Sequence, residues 1–263
     1  MRNIYKIVAN QKEKTVSNVL RRQVIKYENE YKSFMGIEKF PKYRLQFKEV
    51  SLEKADAVGF ESAASTFYQT DTKEHTLLIS ANLPMLRYLA FHEFTHIFDA
   101  EMYAKGDKTR YLCITGFSEY HASQVELLQL LGVKNVEGIP NFSMKTIIEP
   151  LSGKRSVFQY VDEKYNHAIE LFSRKDFPAN IETLKSAIGV LYNYWGLRSI
   201  CEMYSMDYVE RNNNEIFLKY ISTLHFCSAN NLMHGWFDEN KIEVSMPQYM
   251  NILFSIIADY KLV

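Results

Sequence analysis

His92-Glu93-Phe94-Thr95-His96 places two imidazoles four residues apart, with a carboxylate beside the first. On a helix that spacing turns about 40° round the axis and climbs one turn, so both rings reach one point from the same side. Two imidazole nitrogens aimed at one point form a cation site, and zinc is the ion that suits them. Glu93 lies about 100° round from His92, beside the ligand stripe but off it. That position suits a general base. It takes the proton of a water polarised by the ion, and after attack on a carbonyl it hands that proton to the leaving amine.

The spacing arises by chance in roughly 1–2% of shuffled chains of this composition, which holds seven histidines. The flanks reduce that risk. Leu89, Ala90, Phe91, Phe94, Thr95, Ile97 and Phe98 are all uncharged around one polar trio. This reads as a buried helix opening a polar face onto a cleft. The competing reading is a core helix whose histidines are satisfied by hydrogen bonds.

His92, Glu93 and His96 match the HExxH signature, and in this the chain resembles the zincin metallopeptidases over roughly residues 55–131. The resemblance implies a zinc-dependent peptidase with three protein ligands and water on the metal. The metzincin version needs glycine and histidine where this chain has Asp99 and Met102, so it is excluded. The gluzincin version draws a glutamate from a downstream helix, and Glu119 in Gly116-Phe117-Ser118-Glu119-Tyr120-His121-Ala122 is the expected third ligand. Ala122 and Ser123 are small enough to let two helices approach. Zincins also line the cleft with a strand that aligns the substrate backbone, and Thr76–Ser80 is the expected one. The layout is similar to that of the ImmA/IrrE-type proteases, which cut repressors, although residues 123–126 depart from their ExxAxxFA pattern.

Other polar residues have lesser roles in this reading. Asp99 shares the histidine stripe but lies about 10 Å along the axis from His92, so a hydrogen bond to a ligand histidine suits it better than the ion, with helix solvation or capping as the alternative. His121 is the alternative third ligand, and Glu126, two turns past Glu119, a weaker one. Tyr103, Tyr111, Tyr120, His121, His225 and His234 are eligible to stabilise an oxyanion. His225, Cys227 and His234 are read as ordinary side chains of a helical core rather than a second metal cluster.

The elements that must position these groups follow from periodicity. Residues 10–35 carry Val16, Leu20, Val24 and Tyr27 or Tyr31 on one helical stripe, and Pro41 stops what precedes it. Tyr43–Val50 alternates as a strand. Ala57–Gln69 and Thr76–Ser80 flank a polar turn and read as a hairpin. A helix is expected over Leu83–Ala104, capped by Asn82 and ended by Gly106, and a second over Phe117–Leu131 before Gly132. Beyond residue 140 only helical periodicity remains, over 156–174, 179–196, 199–212, 214–227 and 246–260. The expected class is α+β: a zincin-like part over 1–135, with a small sheet and the active-site helix, then a mostly helical part over 136–263, which is a second domain or a lobe of the same one.

Charge balances at 31 basic against 31 acidic residues among 263, and 47% of the chain is apolar. This predicts a folded protein with no general attraction to nucleic acid or membrane. Cys113, Cys201 and Cys227 are odd in number and unclustered, which reads as three buried or semi-buried thiols in a reducing compartment. With no signal-like or spanning segment, a cytoplasmic protein is expected, with Zn2+ as cofactor and a polypeptide as substrate. The alternative is a non-catalytic zincin fold that serves as a helical protein-binding scaffold. Glu93 argues against it, since a structural zinc site needs no spare carboxylate.

Overall fold

A computed structural model describes residues 2–50, 63–210 and 213–262 and shows a mixed α+β chain. The first helix, α1 (Arg2–Met35), begins eight residues before the periodicity suggested. Leu20, Val24, Tyr31 and Phe34 turn its apolar stripe inward. Gly36, at φ +68°, takes the left-handed conformation that ends the helix ahead of Pro41.

Three strands follow. β1 (Tyr43–Lys48) and β3 (Glu74–Ser80) are parallel, with Tyr43 opposite His75 and Lys48 opposite Ser80. β2 (Ala64–Gln69) is antiparallel to β3, with Ala64 opposite Ile79, as a hairpin requires. Residues 57–62 of the expected first hairpin strand lie outside the described residues. The order β1-β3-β2 puts β3 in the middle. Leu77 and Ile79 on β3 and Ala64 and Tyr68 on β2 face the core, the alternation of a sheet covered on one side.

The motif helix α2 is shorter than expected, spanning Arg87–Asp99. Asn82 does not cap it. Its Oδ1 accepts from the Val50 N–H (2.9 Å) and the Ser80 hydroxyl (2.7 Å), while its amide donates to the Val50 carbonyl (2.8 Å), so it joins the ends of β1 and β3. A π-helical turn, Ala100–Ala104, continues α2 before Lys105 and Gly106 reverse the chain. α3 (Lys108–Leu130) starts nine residues early, capped by Asp107, which accepts from the Arg110 N–H at 2.8 Å. Gly132, at φ +75°, ends it as expected.

A two-stranded hairpin, β4 (Ile147–Ile148) and β5 (Arg155–Ser156), leads into α4 (Val157–Ser173). α5 (Ile181–Tyr204) is one helix where the periodicity suggested two. Both α4 and α5 start at capping boxes, Ser156 with Gln159 and Asn180 with Thr183. α6 (Glu215–Leu218), α7 (Thr223–Leu232) and α8 (Ile242–Tyr260) complete the chain. α3 is the hub: α2, α5 and α8 all pack on it. One contiguous cluster of buried side chains joins residues on both sides of position 135. The free thiols differ from expectation in one case: Cys201 is buried and Cys113 half-buried, but Cys227 is exposed. Among the described residues no helix is long and apolar enough to cross a membrane.

Candidate metal centre

One face of α2 is fastened to α1. The Tyr31 ring meets Phe91 and Phe94 edge-on at 5.3 and 5.6 Å, and its hydroxyl donates to Thr95 Oγ1 at 3.2 Å. With that face fixed, His92 and His96 are turned towards α3 and a cleft of about 460 Å³.

Three atoms converge there. His92 Nε2 lies 3.1 Å from His96 Nε2, and Glu119 Oε2 stands 3.7 Å from the first and 3.5 Å from the second. All three groups are partly exposed and close enough to hold one metal ion. A tetrahedral zinc with bonds of about 2.0–2.2 Å holds its ligand atoms about 3.3–3.6 Å apart, and the observed edges of 3.1, 3.5 and 3.7 Å lie close to that.

The far sides of both rings are held. His92 Nδ1 sits 2.8 Å from Glu126 Oε2, and the Tyr160 hydroxyl donates to the other Glu126 oxygen. The carboxylate beside Nδ1 favours a proton on that nitrogen, which in the neutral ring leaves Nε2 with a lone pair. His96 Nδ1 lies 2.8 Å from the Ser118 hydroxyl, which can accept its proton and leave Nε2 bare as well. Three electron-rich atoms then face one another, an arrangement suited to a cation or a shared proton between them.

The electrostatics agree. Burial opposes protonation of His92, yet the hydrogen bonds to Glu119 and Glu126 outweigh it and push the ring up to about 10. Burial likewise works against ionised Glu119, but the two histidines hold its carboxyl well below the usual carboxylate range. Each shift records the same field, in which positive charge at this point is strongly favoured.

Glu93 stands apart from the trio. It is 8% exposed and lines the cleft, and Thr66 from β2 is its hydrogen-bond partner. Burial raises its carboxyl, and the neighbouring histidines only partly reverse this. A carboxylate tuned upward is a better proton acceptor at neutral pH than an exposed one.

Several expectations are corrected. Asp99 holds no ligand histidine; it lies 3.0 and 3.2 Å from His121 Nδ1. His121 is buried, stacked on Phe237 at 3.7 Å, and turned away from the trio. Glu126 is a brace for His92 rather than an alternative ligand. Thr76–Ser80, the strand expected along the cleft, is β3, whose two edges are both taken by neighbours. Ala64, Ser65 and Thr66 of β2 line the cleft instead. Of the six oxyanion candidates only Tyr111 lines it. His234 is separate, 2.9 Å from Glu202 and 3.2 Å from the Arg198 guanidinium. Glu202, Glu210 and His234 also converge, but Arg198 already supplies the cation there, 3.2 Å from Glu210.

Ser118, Tyr160 and Thr66 went unread from the sequence, and Glu126 was read only as a weak alternative ligand, not as the neighbour of His92 Nδ1. Glu126 had a usable signal: seven residues after Glu119, it is on the same helical stripe and about 10 Å further along, where it meets the opposite end of the His92 ring. No family model, curated protein or solved structure matches the chain.

Proposed function

We propose that this chain is a zinc-dependent metallopeptidase of zincin-like, gluzincin-type architecture, with His92, His96 and Glu119 holding the ion and Glu93 as general base. The observation that carries the reading is the convergence of three lone-pair atoms on one point beside a buried carboxylate that bonds to none of them. Zinc at that point supplies Lewis-acid polarisation of a water and of the scissile carbonyl. Glu93 accepts a proton from the attacking water and returns it to the leaving amine nitrogen. Glu126 and Ser118 keep the two rings in one tautomer and one orientation. Among the described residues no strand pairs with the outer edge of β2, which would align an extended peptide, and Tyr111 would donate to the developing oxyanion.

The test is elemental analysis of the purified protein with hydrolysis of an internally quenched peptide library, for wild type and Glu93→Gln. The expected result is one zinc per chain in both, with turnover reduced about 10²–10⁴-fold in the variant. A wild-type protein that holds zinc and cuts nothing is the scaffold of the alternative reading. A protein that takes up no zinc ends both.

A further inference from the structure

The wall of the cleft opposite α2 comes from α4 and α5, and its charge is unlike that of the metal end. Glu93, Glu119 and Glu126 all belong to α2 and α3. The cleft-lining residues of α4 and α5 include two lysines, Lys164 and Lys185, and no acid. We propose that Lys164 and Lys185 bind a substrate carboxylate, so that the cleft selects peptides bearing Asp, Glu or a free C-terminus one or two residues from the scissile bond. This rests on the metallopeptidase reading of the same site.

Helical register brings the two lysines to the cleft from different helices. On α5, Gly189 abuts the ligand Glu119, since a Cβ there would lie 3.8–3.9 Å from its side chain. Lys185 is one turn before Gly189 on the same stripe, about 6 Å along the axis. On α4, Tyr160 holds Glu126, and Lys164 is one turn further along. Lys164 is half-buried and lines the cleft on the side of Glu126. An extended peptide advances about 3.3 Å per residue. The one-turn offset of Lys185 from Gly189, which abuts Glu119, corresponds to about two residues of extended peptide. Charge-assisted contacts of this kind discriminate an acid from its amide by about ten- to a hundredfold. A second groove of about 290 Å³ shares Ser186 and Val190 with the cleft and continues past Phe177, giving the chain beyond the carboxylate a path.

The experiment measures binding apart from catalysis. Zinc-loaded Glu93→Gln protein is titrated into labelled peptides of one backbone, and fluorescence anisotropy is read. One pair carries internal Glu or Gln with an amidated end, and the other lacks internal acids and ends in a free or amidated C-terminus. The expected result is at least tenfold tighter binding of the acid in one pair, and which pair responds identifies the source of the carboxylate. Lys164→Gln or Lys185→Gln in that background reduces the preference, and the double reversal Lys164→Glu/Lys185→Glu inverts it towards lysine-bearing peptides. The single variants, checked for zinc content and unchanged thermal unfolding, decide the matter if the double variant does not fold. Equal affinity for acids and amides, no binding of any peptide, or a preference that survives the lysine substitutions overturns the proposal. Cleavage of the same peptides by wild type is scored separately. Cutting without carboxylate preference removes only this inference, while acid-selective binding without cutting removes only the peptidase.

Discussion

Each ring of the centre is held at two ends, and the two ends have different consequences. Glu119 faces the Nε2 side of both histidines, and Glu126 faces the Nδ1 side of His92 alone. Glu119→Gln exchanges the charged side chain of the proposed ligand for a neutral one and is expected to leave purified protein without stoichiometric zinc. Glu126→Gln keeps a carbonyl acceptor for Nδ1 but removes the charge, and is expected to weaken zinc binding about 10–100-fold in a competitive chelator titration. A Glu126 variant with unchanged zinc affinity would mean that the 2.8 Å contact does no orienting. Tyr111→Phe belongs to the same scale. If its hydroxyl serves the oxyanion, kcat falls about 10²–10³-fold with zinc content unchanged. If Tyr111 only packs on Tyr68, with ring centroids 5.2 Å apart, turnover stays and stability drops instead.

Among the elements, the helices that carry the site were partly legible. The stripe of Leu20, Val24 and Tyr31 identified α1, alternation identified β1, and two segments flanking a polar turn identified the β2–β3 hairpin. The interruptions were misread where glycine lies inside a helix. The expected boundaries at Phe117 and residue 196 fall at Gly116 and Gly196, which both lie inside helices, each at a point where a neighbour occupies the space of a side chain. A Cβ on Gly116 would lie 2.6 Å from the Tyr249 ring. One element boundary can be tested through acid. Asp207, just past the end of α5, accepts from the Met144 N–H (2.7 Å) and from the hydroxyls of Ser143 (2.7 Å) and Ser205 (3.0 Å). Those bonds, the Met144 one first, hold its carboxyl below its ordinary 3.8. A depressed carboxyl stabilises the fold above its unfolded value, and that contribution is lost as pH falls through the lower folded value. Asp207→Asn is therefore expected to lower the urea midpoint at pH 6, with the gap from wild type narrowing as the pH falls below the ordinary carboxyl value. A gap independent of pH would show that the charge is not what Ser143 and Met144 need.

For the molecule as a whole, the centre depends on how closely α5 lies on α3, since α3 carries Glu119 and Glu126 and α5 forms the facing wall. Gly196 is where the two backbones meet, and a Cβ there would stand 2.3 Å from the Tyr120 carbonyl oxygen. Gly196→Ala is expected to destabilise by about 1–3 kcal/mol or more in urea unfolding and to weaken zinc binding, because backbone cannot give way as a side-chain end can. Gly189→Ala, on the same helix, meets Glu119 only at ordinary contact distance. It gains helix propensity and is expected to stabilise by up to about 1 kcal/mol. Equal effects at the two positions would contradict the close approach at Gly196.

The sequence by itself determined the local part of the centre. Four residues of helix oblige His92 and His96 to share a side, put Glu93 next to them and place Glu119 and Glu126 on one stripe, because helical geometry depends only on spacing along the chain. Only the tertiary structure decided which atoms of α3 meet which atoms of α2. It gave Glu119 to the open side of the rings and Glu126 to the braced side, paired His121 with Asp99, set β2 rather than β3 along the cleft and brought Lys164 and Lys185 to its far wall. Those choices follow from how α1, α3 and α5 pack, through contacts between residues far apart in sequence that no spacing along one element specifies.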